Sequence, residues 1–449
     1  MQRIEIENFG PIKHAAFDIN DYTVFIGPQA SGKSTITRLV YFFMSIEKEL
    51  YSILIDPNGA FARPSLELWK KKIRKKFNDY WDHSFLHKET QITFFLDNSK
   101  KISINNFKNG LPDVFMNKSL ESVFEQESDL LVQKNKEADN VKNTLSKLFY
   151  SFAINNFLRN ILSSNPDCHN YIPDGRTIFS DLYNELILSA DSYNEFISDR
   201  YSFNNNILMR QFISIVNYIR NEFRKRPVEE RILNLRQYKS STPDLSKHID
   251  IVEKIYKFMS QILHGKYCYE NNIDFIYIDT DTDTDKKIPL SSSSSGQREA
   301  IWILYDILFY ELQSFEDTER QSLFTVIEEP ESHLFPEGQR NMMYALTLFA
   351  NLSKNQLMLT THSPYILTPL SNLLYAFNLG QSETKRERIA EIIDPDLWIN
   401  PKQFECYYVD KGTIESVVDR ETNIINLDKL DTASAYGNEE LDKLLELEN

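Results

Sequence analysis

The sequence predicts an α/β fold: a mainly parallel core sheet, an N-terminal antiparallel subsheet and a large, mostly helical insertion. Three observations predict it. Short strands at the N-terminus run into a glycine-rich loop that opens a helix. Two apolar runs far down the chain, "LFTVI" and "QLML", end in clustered polar residues, as parallel strands buried on both faces do. Between these two regions lies a long segment with helical periodicity. A chain of 449 residues that is 41% hydrophobic is long enough to divide a large core among subdomains.

In chain order, "RIEIENF" (3–9), "AAFDI" (15–19) and "YTVFIG" (22–27) read as three strands separated by turn residues. The third runs into "GPQASGKST", in which Gly27, Pro28, Gln29, Ala30, Ser31, Gly32, Lys33, Ser34 and Thr35 fit the phosphate-loop pattern G-x-x-x-x-G-K-S/T. Glycines let backbone N–H groups curl around phosphate oxygens, and the start of the helix that follows (35–50) adds a favourable dipole. In such a loop Lys33 reaches the β- and γ-phosphates of ATP and Ser34 holds Mg²⁺.

Residues 51–265 read as the insertion between an N-terminal part of the ATPase domain (1–50) and its C-terminal part (266–380), with an extension over 381–449. Within it, "TQITFFLDNSKKISINNF" (90–107) is a hairpin turning at Asp97-Asn98, and the segments 145–162 and 248–263 are helical. Sustained heptads are missing, so a compact helical lobe is expected rather than a coiled-coil arm. The basic runs "WKKKIRKKF" (69–77) and "RNEFRKRP" (220–227) read either as solvated helix faces or as contacts for nucleic acid or a partner. "YIPDGRTIF" (171–179) is a strand followed by a turn at Pro173-Asp174-Gly175, and it sets Arg176 where an arginine faces a phosphate.

Next comes "IDFIYIDTDTDTDKKIPL" (273–290), two strands joined by a polar turn. Its alternating Asp and Thr do not make a calcium loop, because the sixth position from Asp279 is Thr284 and the twelfth is Leu290. The five serines of "SSSSSGQREA" (291–300) enter an apolar helix directly, whereas a flexible spacer is flanked by boundaries. Hydroxyls and free N–H groups at that helix start present donors to an anion. "LFTVIEEPESHLFP" (323–336) is a strand ending in Glu328 and Glu329, and "QLMLTTHSPYIL" (356–367) one ending in Thr360, Thr361 and His362. In a parallel sheet these strand ends converge with the phosphate loop.

This ordered set, "GPQASGKST", "SSSSSGQRE", "IEEPESHLFP" and "TTHSPYIL", resembles the ATP-binding-cassette (ABC) ATPases, and among them the SMC-like and OLD-like members rather than transporters. The resemblance implies that Ser294, Ser295, Gly296 and Gln297 stand at the last four positions of the L-S-G-G-Q signature, which completes the ATP site of the opposite protomer. Ser293 replaces its leucine and Ser295 its first glycine. It also implies that Glu328 binds Mg²⁺, that Glu329 orients or deprotonates the attacking water, and that His362 contacts the γ-phosphate. The usual aspartate of the carboxylate pair is Glu328 here, and no glutamine loop is placed.

A narrower likeness, carried by "IENFGPIKHAAFDI", "YIPDGR", "EEPESHLFP" and "YYVDKGTIESVVDRETNIINLDKLD", is to the ATPases of Septu, PARIS and retron anti-phage defence systems. It implies an ATP-dependent homodimer or higher homo-oligomer, a separately encoded effector (nuclease or toxin), and a nucleic-acid or phage-protein trigger. The competing implication is a self-sufficient SMC-like ATPase that clamps DNA. A net charge of −15, from 50 basic and 65 acidic residues, argues against nonspecific adhesion to nucleic acid by the molecule as a whole.

The three cysteines form no C-x-x-C pair, so neither a disulfide framework nor a zinc site is expected. The start "MQRIEIENFG" is charged and alternating rather than an apolar signal core, which suggests a cytoplasmic protein without a membrane partner. No nuclease carboxylate set is visible. The tail "NEELDKLLELEN" (438–449) reads as an amphipathic helix with Leu441, Leu444, Leu445 and Leu447 on one face, suited to a groove or to packing on its own core.

Overall fold

The computed structural model describes residues 2–55, 61–108, 111–139, 144–163, 168–176, 207–237, 242–271, 273–278, 286–313, 322–352 and 355–426. The polar turn 279–285 and the tail 438–449 lie outside the described residues. The strands are β1 (Arg3–Phe9), β2 (Ile12–Asp18), β3 (Tyr22–Ile26), β4 (Leu86–Phe95), β5 (Lys101–Lys108), β6 (Leu111–Met116), β7 (Cys168–Ile172), β8 (Lys266–Glu270), β9 (Ile273–Ile278), β10 (Lys286–Pro289), β11 (Leu323–Glu328), β12 (Gln356–Thr361), β13 (Phe404–Asp410) and β14 (Thr413–Ser416). The helices are α1 (Lys33–Met44), α2 (Glu47–Tyr51), α3 (Leu66–Tyr80), α4 (Lys118–Asp139), α5 (Thr144–Leu162), α6 (Ile207–Lys225), α7 (Val228–Arg236), α8 (Pro243–Leu263), α9 (Ser295–Gln313), α10 (Pro336–Asn351), α11 (Leu367–Leu379) and α12 (Glu383–Ala390).

One 11-stranded sheet, in the order β6-β5-β4-β1-β2-β14-β13-β3-β12-β11-β7, organises these elements. Its β6-β5-β4-β1-β2 side is antiparallel, and β13, β3, β12, β11 and β7 run parallel. The expected fold class is therefore the observed one. Every residue of β3 and β11 is buried, which explains their unbroken apolar character. Alternation then divides them between two cores: Tyr22, Val24 and Ile26 pack on one face with α6, α8, α9 and α10, while Phe25, Phe324 and Val326 pack on the other with α1 and α3.

Residues 51–265, expected as an insertion, contribute four strands to this sheet. The anticipated hairpin is β4-β5, its turn closed by the Asp97 carboxylate accepting from the Ser99 and Lys100 amides at 2.7 and 2.8 Å. β6 extends it, and β7 pairs in parallel with β11 at the other end of the sheet. The segment 381–449 likewise supplies β13, which lies beside β3. The helix expected over 35–50 is broken between α1 and α2. Lys76 donates to the Ser45 carbonyl and hydroxyl at 2.8 and 3.0 Å, tying off the end of α1.

The first basic run lies on α3, whose Trp69, Ile73 and Phe77 face the core. Lys70, Arg74 and Lys76 pair with Glu121, Asp113 and Glu49 at 3.0, 3.2 and 2.8 Å. Among the described residues Lys71, Lys72 and Lys75 have no acidic partner within ion-pair range. In the second run, Arg220 is buried against Asp274, its Nε 3.0 Å from Oδ1, and Lys225 pairs with Glu222. Arg224, Lys225 and Arg226 of that run are exposed. Among the described residues no helix is long and apolar enough to cross a membrane.

Candidate functional site

The phosphate loop joins β3 to α1, and its glycines are required by space. A Cβ at Gly27 would lie 2.1 Å from the Val409 carbonyl on β13; one at Gly32, where φ is +106°, would lie 2.3 Å from Ile12 Cδ1. Pro28, Gln29 and Ala30 are exposed, and the Ser31 hydroxyl is buried without a hydrogen-bond partner. The N-terminus of α1 has no side-chain cap. Unpaired N–H donors and an orphaned hydroxyl around a glycine cradle fit a polyphosphate.

Parallel neighbours bring the other predicted residues to the same edge. Thr361 on β12 pairs with Ile26 on β3, and Glu328 on β11 with Thr360 on β12. Lys33, 4% exposed, donates to the Gly27 and Pro28 carbonyls at 2.8 Å each and sits 3.2 Å from His362 Nδ1. His362 Nε2 lies 2.8 Å from Glu329 Oε1. His362 Nδ1 also lies 3.0 Å from the Gly27 carbonyl, an acceptor that competes with the Lys33 ammonium for that nitrogen. Contacts therefore run continuously from Lys33 through His362 to Glu329.

Burial pushes the Lys33 ammonium down to about 8, against Glu329 and Glu331, which pull it up. A phosphate stabilises the charged form, so ATP affinity is full below that pH and falls by about tenfold per pH unit above it. Calorimetric titration across that range tests this; Lys33→Arg should remove the dependence, and an affinity indifferent to pH in the unaltered chain would contradict it.

Glu328, 1% exposed, accepts from the Tyr171 hydroxyl at 2.7 Å and the Asp174 amide at 3.3 Å, with Arg38 Nη2 at 3.6 Å. The Tyr171 hydroxyl lies 3.5 Å from the Thr37 hydroxyl. Thr37 stands one turn beyond Ser34 on the same face of α1, which brings Ser34 to the Glu328 side of the site. An all-oxygen pair suits a hard cation such as Mg²⁺. Glu329 has a left-handed backbone, φ +45°, and its N–H donates to the Thr360 carbonyl at 2.9 Å.

In the serine-rich segment, Ser294 and Gln297 form a capping box at the start of α9: the Ser294 amide donates to Gln297 Oε1 at 3.0 Å, and the Gln297 amide to Ser294 Oγ at 3.3 Å. Gln297 Nε2 donates to the Leu263 carbonyl at 2.7 Å. These bonds leave Ser294 exposed and lead away from Lys33, Glu329 and His362. Ser295 begins the helix, and Gly296 is buried against the loop after β11, where a Cβ would lie 2.6 Å from the His333 carbonyl.

The AAA ATPase domain profile matches residues 1–367, a span that takes in the loop, the signature segment, both carboxylates and His362. The chain belongs to the AAA ATPase domain family. It is an ATP-hydrolysing enzyme with a phosphate loop. Similar solved structures include an SmcHead bound to the C-winged helix domain of ScpA (12% identity, TM-score 0.38, covering 92% of this chain and 96% of that one). The SMC head domain from Thermotoga maritima (11%, TM-score 0.34, 92% and 97%) and the recombination mediator protein RecF-ATPrS of the RecFOR pathway (11%, TM-score 0.32, 92% and 97%) are others. No curated protein matches the sequence.

Several residues of this ATPase site were not singled out from sequence. Glu331, 6% exposed, accepts from the Thr361 hydroxyl and, at 3.3 Å, from the His362 amide, so it fixes the histidine's backbone. Its carboxyl is raised by burial. Tyr171 and Asp174, at the end of β7, occupy the edge beside Glu328 where no glutamine loop had been placed. The expectation for Arg176 is corrected: the side chain is fully buried and bonded to backbone carbonyls, so it faces no phosphate.

Proposed function

We propose that two copies of this ATPase close head to tail around ATP and that the closed dimer regulates a separate effector, such as a nuclease or toxin, in an anti-phage defence complex. The observation that carries the dimer is the separation of the half-sites. The Lys33–His362–Glu329 chain closes on itself, while Ser294 is exposed on another element and shares no bond with it. A two-fold arrangement in which each copy lends its signature to the other's phosphate loop completes both sites. The loop residues 27–35 bind the polyphosphate, and Ser294–Gln297 of the neighbour cover its γ end. Mg²⁺, held by Ser34 and Glu328, would neutralise phosphate charge.

Phosphate competes for the Lys33 ammonium and draws it away from His362 Nδ1. His362 then contacts the γ-phosphate and Glu329 orients the attacking water. Such a site stays idle until both copies close, the behaviour a sensor needs. The defence assignment rests on the likeness of "IENFGPIKHAAFDI", "YIPDGR", "EEPESHLFP" and "YYVDKGTIESVVDRETNIINLDKLD" to the ATPases of those systems, with trigger and effector as separate molecules.

A second reading, an SMC-like DNA clamp, is favoured by one observation: Lys71, Lys72 and Lys75 on α3 have no acidic partner among the described residues. One experiment separates the two. Purified chain with ATP, Mg²⁺ or Mn²⁺, DNA and RNA should leave both nucleic acids uncut and should not retain circular DNA. Cleavage abolished by a substitution in this same chain would overturn the sensor reading. ATP-dependent retention of circles, lost when the three lysines become glutamates, would establish the clamp.

A further inference from the structure

The guanidinium of Arg176 bridges two elements that carry opposite halves of the composite site. On one side Nη1 donates to the Pro173 and Glu328 carbonyls at 2.6 and 2.7 Å, and Nη2 donates to the Glu329 carbonyl at 2.9 Å. On the other, Nε lies 3.2 Å from the Glu299 carbonyl and 2.9 Å from Glu299 Oε2. Glu299, 2% exposed, sits on α9 one turn beyond Ser295. Gly296 closes the same joint against the His333 carbonyl. The start of the signature helix and the end of the β11 strand therefore form one packed unit.

Glu329 gives that unit a task. A non-glycine residue with a left-handed backbone persists only where its surroundings over-determine it, and here the Glu329 peptide is fixed by its amide on Thr360 and its carbonyl on Arg176. A buried arginine making this many bonds to carbonyls at a strained peptide holds geometry more than it supplies net stability. We infer that Arg176 is a positioning residue: it clamps the Glu329 peptide to the first turn of α9, so that a nucleotide gripped by Ser294–Gln297 in the neighbouring site sets the carboxylate of the protomer's own site. This rests on the proposed composite site. It makes the two ATP sites of the dimer fire together, because each signature is bolted to the glutamate of its own chain.

The test compares Arg176→Lys, Glu299→Gln and Glu329→Gln in the full chain, measuring ATP affinity, kcat, the Hill coefficient for ATP and the melting temperature. Arg176→Lys keeps the charge but loses the fork that grips several carbonyls at once. Expected are ATP affinity within about twofold and kcat lower by about 100-fold, the usual consequence of misplacing a reacting group by an ångström. Glu299→Gln, which keeps shape and backbone, should lose cooperativity, its Hill coefficient falling to that of independent sites. A folded Arg176→Lys chain with unaltered kcat and cooperativity would overturn the clamp. So would affinity and kcat declining together with the melting temperature, the pattern of a merely structural residue. If Arg176→Lys fails to fold, Glu299→Gln decides, and full cooperativity there refutes the inference. Undiminished hydrolysis by Glu329→Gln would remove Glu329 from the chemical step and with it the clamp, whereas undiminished hydrolysis by Ser294→Arg would refute the composite-site reading itself.

Discussion

Replacing Glu329 by glutamine should slow ATP hydrolysis by about 100- to 1,000-fold, the loss typical of removing one positioned proton acceptor, while ATP affinity stays within about twofold. Glutamine keeps the length of the side chain and still accepts from His362 Nε2, which lies 2.8 Å away in the native chain. It removes only the negative charge that draws a proton from water. Because binding is spared, ATP should hold the altered chain in its closed dimeric form. Steady-state hydrolysis, fluorescent-nucleotide titration and light scattering on the same sample check this. Parallel loss of binding and turnover would show that Glu329 works in the fold or in binding and not in the chemical step.

Lys33→Ala should act at the earlier step, weakening ATP affinity by roughly 100-fold, or about 3 kcal/mol, since a hydrogen bond to a charged group contributes about 1.5–3 kcal/mol and the ammonium supplies more than one. Substitution also leaves the Gly27 and Pro28 carbonyls and His362 Nδ1 without their shared donor. The His362–Glu329 contact does not depend on Lys33, so the strand ends should keep their arrangement. Calorimetry with ATP, supported by circular dichroism to show an intact fold, measures the effect. Native affinity in a folded Lys33→Ala chain would remove Lys33 from the phosphate site.

Much of this site was legible in sequence because its parts are local. The phosphate loop, the carboxylates at the end of β11 and His362 at the end of β12 each sit where a strand meets a loop, and a run of a dozen residues displays that pattern. Strand order was not legible. β7 lies inside the segment read as an insertion yet pairs with β11, and β13 arrives from the C-terminal extension to lie beside β3 and cap Gly27. Such pairings are decided by packing between distant segments rather than by any local signal. Arg176 shows the cost of reading locally. A turn arginine near a strand end looks like a phosphate ligand, whereas its partners, Glu299 and the Glu328 and Glu329 carbonyls, belong to elements more than a hundred residues away. Glu331 went unremarked beside two more conspicuous carboxylates, because what distinguishes it is burial under Thr361 and the His362 amide.

The composite site is tested most directly by mixing two disabled chains. Lys33→Ala lacks the phosphate-loop lysine but keeps its signature; Ser294→Arg keeps the lysine but blocks the exposed signature serine. Each alone should hydrolyse ATP poorly. In a mixed dimer, Lys33 of one chain meets Ser294 of the other, and one complete site is rebuilt while its twin carries both defects. The account predicts that mixing restores hydrolysis in proportion to heterodimer content, with at most one working site per heterodimer. Full activity in the Ser294→Arg chain alone, or no recovery on mixing although heterodimers form, would contradict it.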